Sequence, residues 1–140
     1  MFAKILVAYD GSAGSERALA AAVQIARSQR ADLWGLAVED RLPRLAATVG
    51  EMEEEKELAG QFYKDHLEDA RVLAADSGVA LHAVVRPGHA AQTITEFAKE
   101  EGFDLIVLGH SGHSGVWANF LGTTTEKVSR HAPCSVLIVR

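Results

Sequence analysis

Five short apolar runs alternate with longer stretches of helical periodicity along this chain, and few folds are compatible with that order. The runs occupy residues 5–8, 33–38, 81–85, 105–108 and 136–139. Between the first two, Ala18, Leu19, Ala22, Ile25 and Ala26 fall on one helical face, with Ser12 placed as a candidate N-cap. Ala59, Phe62, His66, Ala70 and Leu73 share a stripe on a longer helix that Gly78 ends. Pro87-Gly88 closes the third run, and Ala90, Ile94, Phe97 and Ala98 mark a shorter helix. A last helix, from about Thr124, stops near Pro133. Strands that alternate with helices in this way build βαβ units, hence a parallel sheet with helices on both faces, an α/β doubly wound fold. At 140 residues the chain is expected to form one domain, 1–140. Segment 40–57 is less regular: 41–44 reads as an exposed loop, and the acidic stretch 51–57 as the solvated start of a helix.

Ligands of such folds sit beyond the carboxyl ends of the strands. Two loops there attract notice. Asp10-Gly11-Ser12 follows the first strand. Gly109-His-Ser-Gly112 follows the fourth and leads, nine residues later, to Gly122-Thr123-Thr124. If strands one and four are neighbours, both loops face one crevice. Thr123 and Glu126 have the spacing of a capping box opening a helix. Glycines allow close backbone approach, and a helix N-terminus offers free N–H donors with partial positive charge, which together describe an anion site, best suited to phosphate. The plainer readings stand beside this one. Gly109 and Gly112 can make a tight turn, Asp10 can cap a helix or stabilise a turn, and Trp117 and Phe120 read as packing residues.

Other chemistries are weaker. A net charge of −5, with basic residues scattered, argues against nucleic acid and anionic membrane as partners. Cys134 is the only cysteine, which excludes an internal disulfide and fits a reducing compartment. We expect no signal peptide, no membrane span and a cytoplasmic protein. His110 and His113, or His131 and Cys134, have metal-ligand spacing, but two ligands fall short of a site. No Gly-x-Ser-x-Gly elbow, no Gly-x-x-x-x-Gly-Lys-[Ser/Thr] loop and no Gly-x-Gly-x-x-Gly after the first strand occurs, which counts against a serine hydrolase, a P-loop NTPase and a dehydrogenase.

Over nearly its whole length the chain resembles the universal stress proteins of the small, single-domain kind. The resemblance rests on residues 5–12 (Ile-Leu-Val-Ala-Tyr-Asp-Gly-Ser), on 104–109 (Asp-Leu-Ile-Val-Leu-Gly), and on the tail from Gly122 to Val139. That family's ATP-binding members carry Gly, two residues, Gly, nine residues, Gly, then Ser or Thr. Gly109, Gly112, Gly122 and Thr123 meet this spacing. His113, Trp117, Phe120 and the Thr123-Thr124 pair depart from the commoner residues.

The resemblance implies a five-stranded parallel sheet of order 3-2-1-4-5, of the adenine nucleotide alpha hydrolase-like fold. It implies binding of ATP or a related adenine nucleotide, with Mg2+ or Mn2+ bridging the phosphates, in a regulator of stress response. Asp10 would hydrogen-bond the ribose, Ala8 and Val38 border the adenine, and Gly109 and Gly112 lie against ribose and phosphates. Gly122, Thr123 and Thr124 would donate to the phosphates. No residue is assigned to catalysis: with no base or arginine finger in the motif, hydrolysis should be slow at most. A slow ATPase and a ligand-free interaction module remain alternatives. The resemblance also implies a homodimer that pairs the C-terminal edge strand, 135–139, across a two-fold axis.

Overall fold

The computed structural model describes residues 1–39, 49–110 and 121–140, without the side chains of 49, 52, 55, 56 and 59. Its elements follow the predicted alternation: β1 (Lys4–Ala8), α1 (Ala13–Gln29), β2 (Asp32–Glu39), α2 (Val49–Asp76), β3 (Leu81–Pro87), α3 (Ala90–Glu101), β4 (Leu105–Gly109), α4 (Thr123–His131) and β5 (Ser135–Val139). The strands form one sheet in the order β3-β2-β1-β4-β5, and every neighbouring pair is parallel. This is the expected fold, with β1 at the centre.

Strand side chains alternate between the two faces of the sheet, so each strand feeds two cores. Ile5 and Val7 of β1 join Leu33, Leu105 and Val107 against Ala18, Leu19 and Ala22 of α1 and Leu67, Ala70 and Ala74 of α2. Leu6 joins Leu36, Ile106 and Leu108 against Ile94 and Phe97 of α3 and Val128 of α4. Ile5, Leu6, Leu33 and Ile106 are wholly inaccessible to water, and burying each contributes roughly 1.5–3 kcal/mol. The Asp104 carboxylate accepts from the amides of Ala3 and Lys4 at 2.8 and 3.0 Å, which locks the start of β4 to the start of β1.

One stripe differs from expectation. On α2 the buried face runs through Leu67, Ala70 and Ala74, while Phe62 and Leu73 are 54% and 53% exposed. The helix docks where β2 is thinnest. At Gly35 there is no side chain, and a Cβ there would lie 3.2 Å from Leu81 and 3.6 Å from Leu67. Leu81 fills most of that space and Leu67 touches it at ordinary contact distance; with Leu67 turned toward the sheet, Phe62 faces outward. The acidic segment does begin this helix, with Glu51, Glu53, Glu54 and Glu57 all exposed.

Candidate functional site

β1 and β4 are neighbours, so the loops that follow them open at the same end of the sheet. A crevice of about 500 Å³ lies there, within the range of small-molecule sites. Of the predicted site residues, Ala8, Asp10, Val38, Gly109, Gly122, Thr123 and Thr124 all line it. Gly112 lies outside the described residues, as do His113, Trp117 and Phe120.

The β1–α1 turn is built by side-chain hydrogen bonds. Asp10 Oδ1 accepts from the Ser12 amide at 2.9 Å, which carries Gly11 through a left-handed φ of 81°. Ser12 then caps α1 as expected, its Oγ accepting from the Ser15 amide at 3.2 Å. Gly11 is needed twice over. Its φ favours glycine, and a Cβ there would stand 2.7 Å from the imidazole of His66 on α2. The turn-stabilising reading of Asp10 is therefore realised, and its exposed carboxylate also lines the crevice.

Gly109 ends β4, where the glycine has a packing reason. A Cβ would come within 2.7 Å of the carbonyl carbon and oxygen of Gly14, so α1 crosses β4 backbone against backbone.

The entrance of α4 differs from the predicted capping box. Gly122, not Thr123, is the N-cap, with φ −60° and ψ 146°, and it makes no side-chain cap hydrogen bond. Starting the helix at Thr123 puts Glu126 in its fourth position. The Glu126 amide donates to the Gly122 carbonyl at 2.9 Å, and its carboxylate pairs with Arg130 at 2.8 Å instead of reaching back. The end of α4 is nonetheless held firmly. Gly122 N–H donates to the His110 carbonyl, and His110 N–H to that of Val139, both at 2.8 Å. Thr125 Oγ1 donates to the Gly109 carbonyl at 2.7 Å. Thr123, Thr124 and Thr125 form the first turn of α4, where a helix leaves N–H groups without an intrahelical partner. They lie at the positive end of the helix, and these three residues line the crevice.

Among the described lining residues there is no lysine, arginine or histidine. Tyr9 lines the crevice from a buried position. Burial, and then the carboxylates of Glu16, Asp69 and Asp10, push its phenol above the ordinary tyrosine range, so it stays neutral. Among the described residues no three His, Cys, Asp or Glu side chains gather into a group that could hold a metal ion. No helix among them is long and apolar enough to cross a membrane.

Sequence reasoning did not assign ten of the lining residues to the site, among them Phe62, Tyr63 and Thr125. Phe62 and Tyr63 were hidden because the helical stripe was placed one residue out of phase. Thr125 was legible only as the third of a run of threonines.

Comparison with known proteins gives a consistent answer. The model of the universal stress protein family matches residues 1–140. The universal stress protein YxiE of Bacillus subtilis (strain 168) is 38% identical, with 100% of each chain covered. Among solved structures, the universal stress protein UspA from Lactobacillus plantarum superposes with a TM-score of 0.85 at 31% identity, covering 99% of this chain and 98% of its own. A universal stress protein in complex with cAMP superposes with a TM-score of 0.77 at 27% identity, covering 99% and 97%.

Proposed function

The chain belongs to the universal stress protein family, and from that premise we propose that it binds an adenine nucleotide, ATP or a close relative, as a regulator in stress response. The observation that carries the proposal is the entrance of α4, which lines the crevice with a glycine as its N-cap. The backbone at Gly122 is one that any residue adopts, and glycine, unlike Ser, Thr, Asn or Asp at an N-cap, has no side-chain oxygen to offer the first-turn amides. It therefore supplies no side-chain cap to these amides, and Thr123 and Thr124 line the crevice. Phosphate oxygens would accept from these amides and from the threonine hydroxyls. A relative solved in complex with cAMP supports the class of ligand.

In this reading Asp10 accepts from the ribose hydroxyls. Ala8 and Val38 border the adenine, and Gly109 and Gly112 lie along ribose and phosphates. Mg2+ or Mn2+ would be carried mainly by the phosphates, since the described residues offer no cluster of ligands of their own. The described lining lacks a cationic side chain to stabilise a transferring phosphoryl group, so turnover should be slow, and the nucleotide would act by biasing a conformation. The proposal takes residues 1–140 as one domain of a cytoplasmic protein.

It also includes a homodimer. β5 is an edge of the sheet, with Val136, Leu137, Ile138 and Val139 only half-buried, and an uncovered apolar edge favours pairing. A monomer by light scattering at micromolar concentration would remove that part.

Calorimetric titration with ATP, AMP and cAMP in the presence of Mg2+ tests the function. Saturable binding of one nucleotide per chain is expected. Absence of binding by all three would overturn the reading and leave a ligand-free interaction module.

A further inference from the structure

α4 stands beside β5 and α3, whereas α2 packs on β2 and β3, and both helices contribute residues to the crevice. Of the exposed large apolar side chains among the described residues, Phe62 alone lines this crevice. Its ring is held in place. It meets His66 edge-on at 4.3 Å and 77°, and Tyr63 at 5.5 Å and 84°. His66 in turn fills the space that a Cβ at Gly11 would occupy, next to Asp10. Half of a phenylalanine left in water at the mouth of a cavity, with its neighbours fixing its tilt, is a surface prepared for a flat apolar partner.

We propose that Phe62 is a specificity-determining residue of this site, its ring the platform on which the base of the bound nucleotide stacks while the phosphates lie at the entrance of α4. This rests on the nucleotide reading above and adds to it how the base is recognised. Leu36 and Val38 of β2 also line the crevice and supply further apolar surface to the base. Gly11 belongs to the same device: a side chain there would displace His66 and, through it, the Phe62 ring.

The test is calorimetric titration of the full chain with ATP and Mg2+, before and after substitution. Phe62→Ala should weaken binding about tenfold, the order expected for loss of one base–aromatic stack. Phe62→Leu, apolar but without a ring, should weaken it similarly, and Phe62→Trp should retain it. Because Phe62 is half exposed, all three variants should keep the parent melting temperature within a few degrees. Unchanged affinity in Phe62→Ala overturns the proposal, and so does Phe62→Leu binding as well as Phe62→Trp, since bulk alone would then suffice. Failure of the unmodified chain to bind ATP overturns the nucleotide reading itself, a result obtained before any variant is made.

Discussion

The Cβ that Gly109 lacks would stand 2.7 Å from the carbonyl carbon of Gly14. These two glycines let α1 settle on β4 at backbone distance, and that contact sets how closely the β1–α1 turn approaches the end of β4. The contact joins residues 95 positions apart in the chain, and Gly109 itself lines the crevice.

Gly109→Ala should accordingly destabilise the protein whether or not a nucleotide is present. Its new methyl group meets backbone, which cannot swing aside as a side chain can. We expect a loss of about 1–3 kcal/mol, the usual cost of overpacking. A urea midpoint equal to that of the parent would show that α1 can move away freely.

Gly122→Trp should behave in the opposite way. The backbone there accepts any residue, so stability should change by no more than about 1 kcal/mol, as for an uncapped N-terminus. An indole at this point occupies the space over the Thr123 and Thr124 amides, and ATP binding should be abolished. Retained binding in calorimetry would place the phosphates elsewhere.

Arg30 closes α1 in the left-handed region, at φ 54° and ψ 41°, and is the sole non-glycine with positive φ among the described residues. Its amide donates to the Ala26 carbonyl at the C-cap. Arg30→Gly removes the steric cost of that conformation and should raise stability by about 0.5–1 kcal/mol. A shift of the urea midpoint to higher concentration is expected; a shift to lower concentration would mean that the arginine side chain contributes more than its backbone costs.

Cys134 packs half-buried against the core that holds Leu6 and Val128. Burial, and then the Asp104 carboxylate, push its thiol above the ordinary cysteine range. A folded-state value raised above the unfolded one contributes stability that is fully present below the ordinary thiol value and is lost as pH rises through the folded value. At pH 8 the folded chain should react with iodoacetamide more slowly than the urea-unfolded chain. Equal rates would show a thiol in an ordinary, open environment.

Much of this protein follows from local pattern. The five apolar runs, the Ser12 cap and the glycine spacing from 109 to 122 were legible because strand alternation, turn chemistry and helix capping act between residues close in sequence. The buried stripe of α2 was not. Leu67 rather than Phe62 faces inward because α2 docks on β2 and β3, strands distant in the sequence. The N-cap of α4 escaped for a related reason. A Thr-x-x-Glu pattern permits a cap at Thr123, but the hydrogen bonds from Gly122 to His110 and from His110 to Val139 fix the chain one residue earlier.

The sequence alone determined that strands and helices alternate, that the sheet is parallel, and that two glycine-bearing loops follow the first and fourth strands. Those are properties of periodicity and backbone freedom within short windows. Only the tertiary structure decided that Phe62 lines the crevice, that Gly109 is a glycine for the sake of Gly14, and that Gly122 is the N-cap of α4. Each depends on which distant surface a residue meets, and a short window of sequence does not contain that surface.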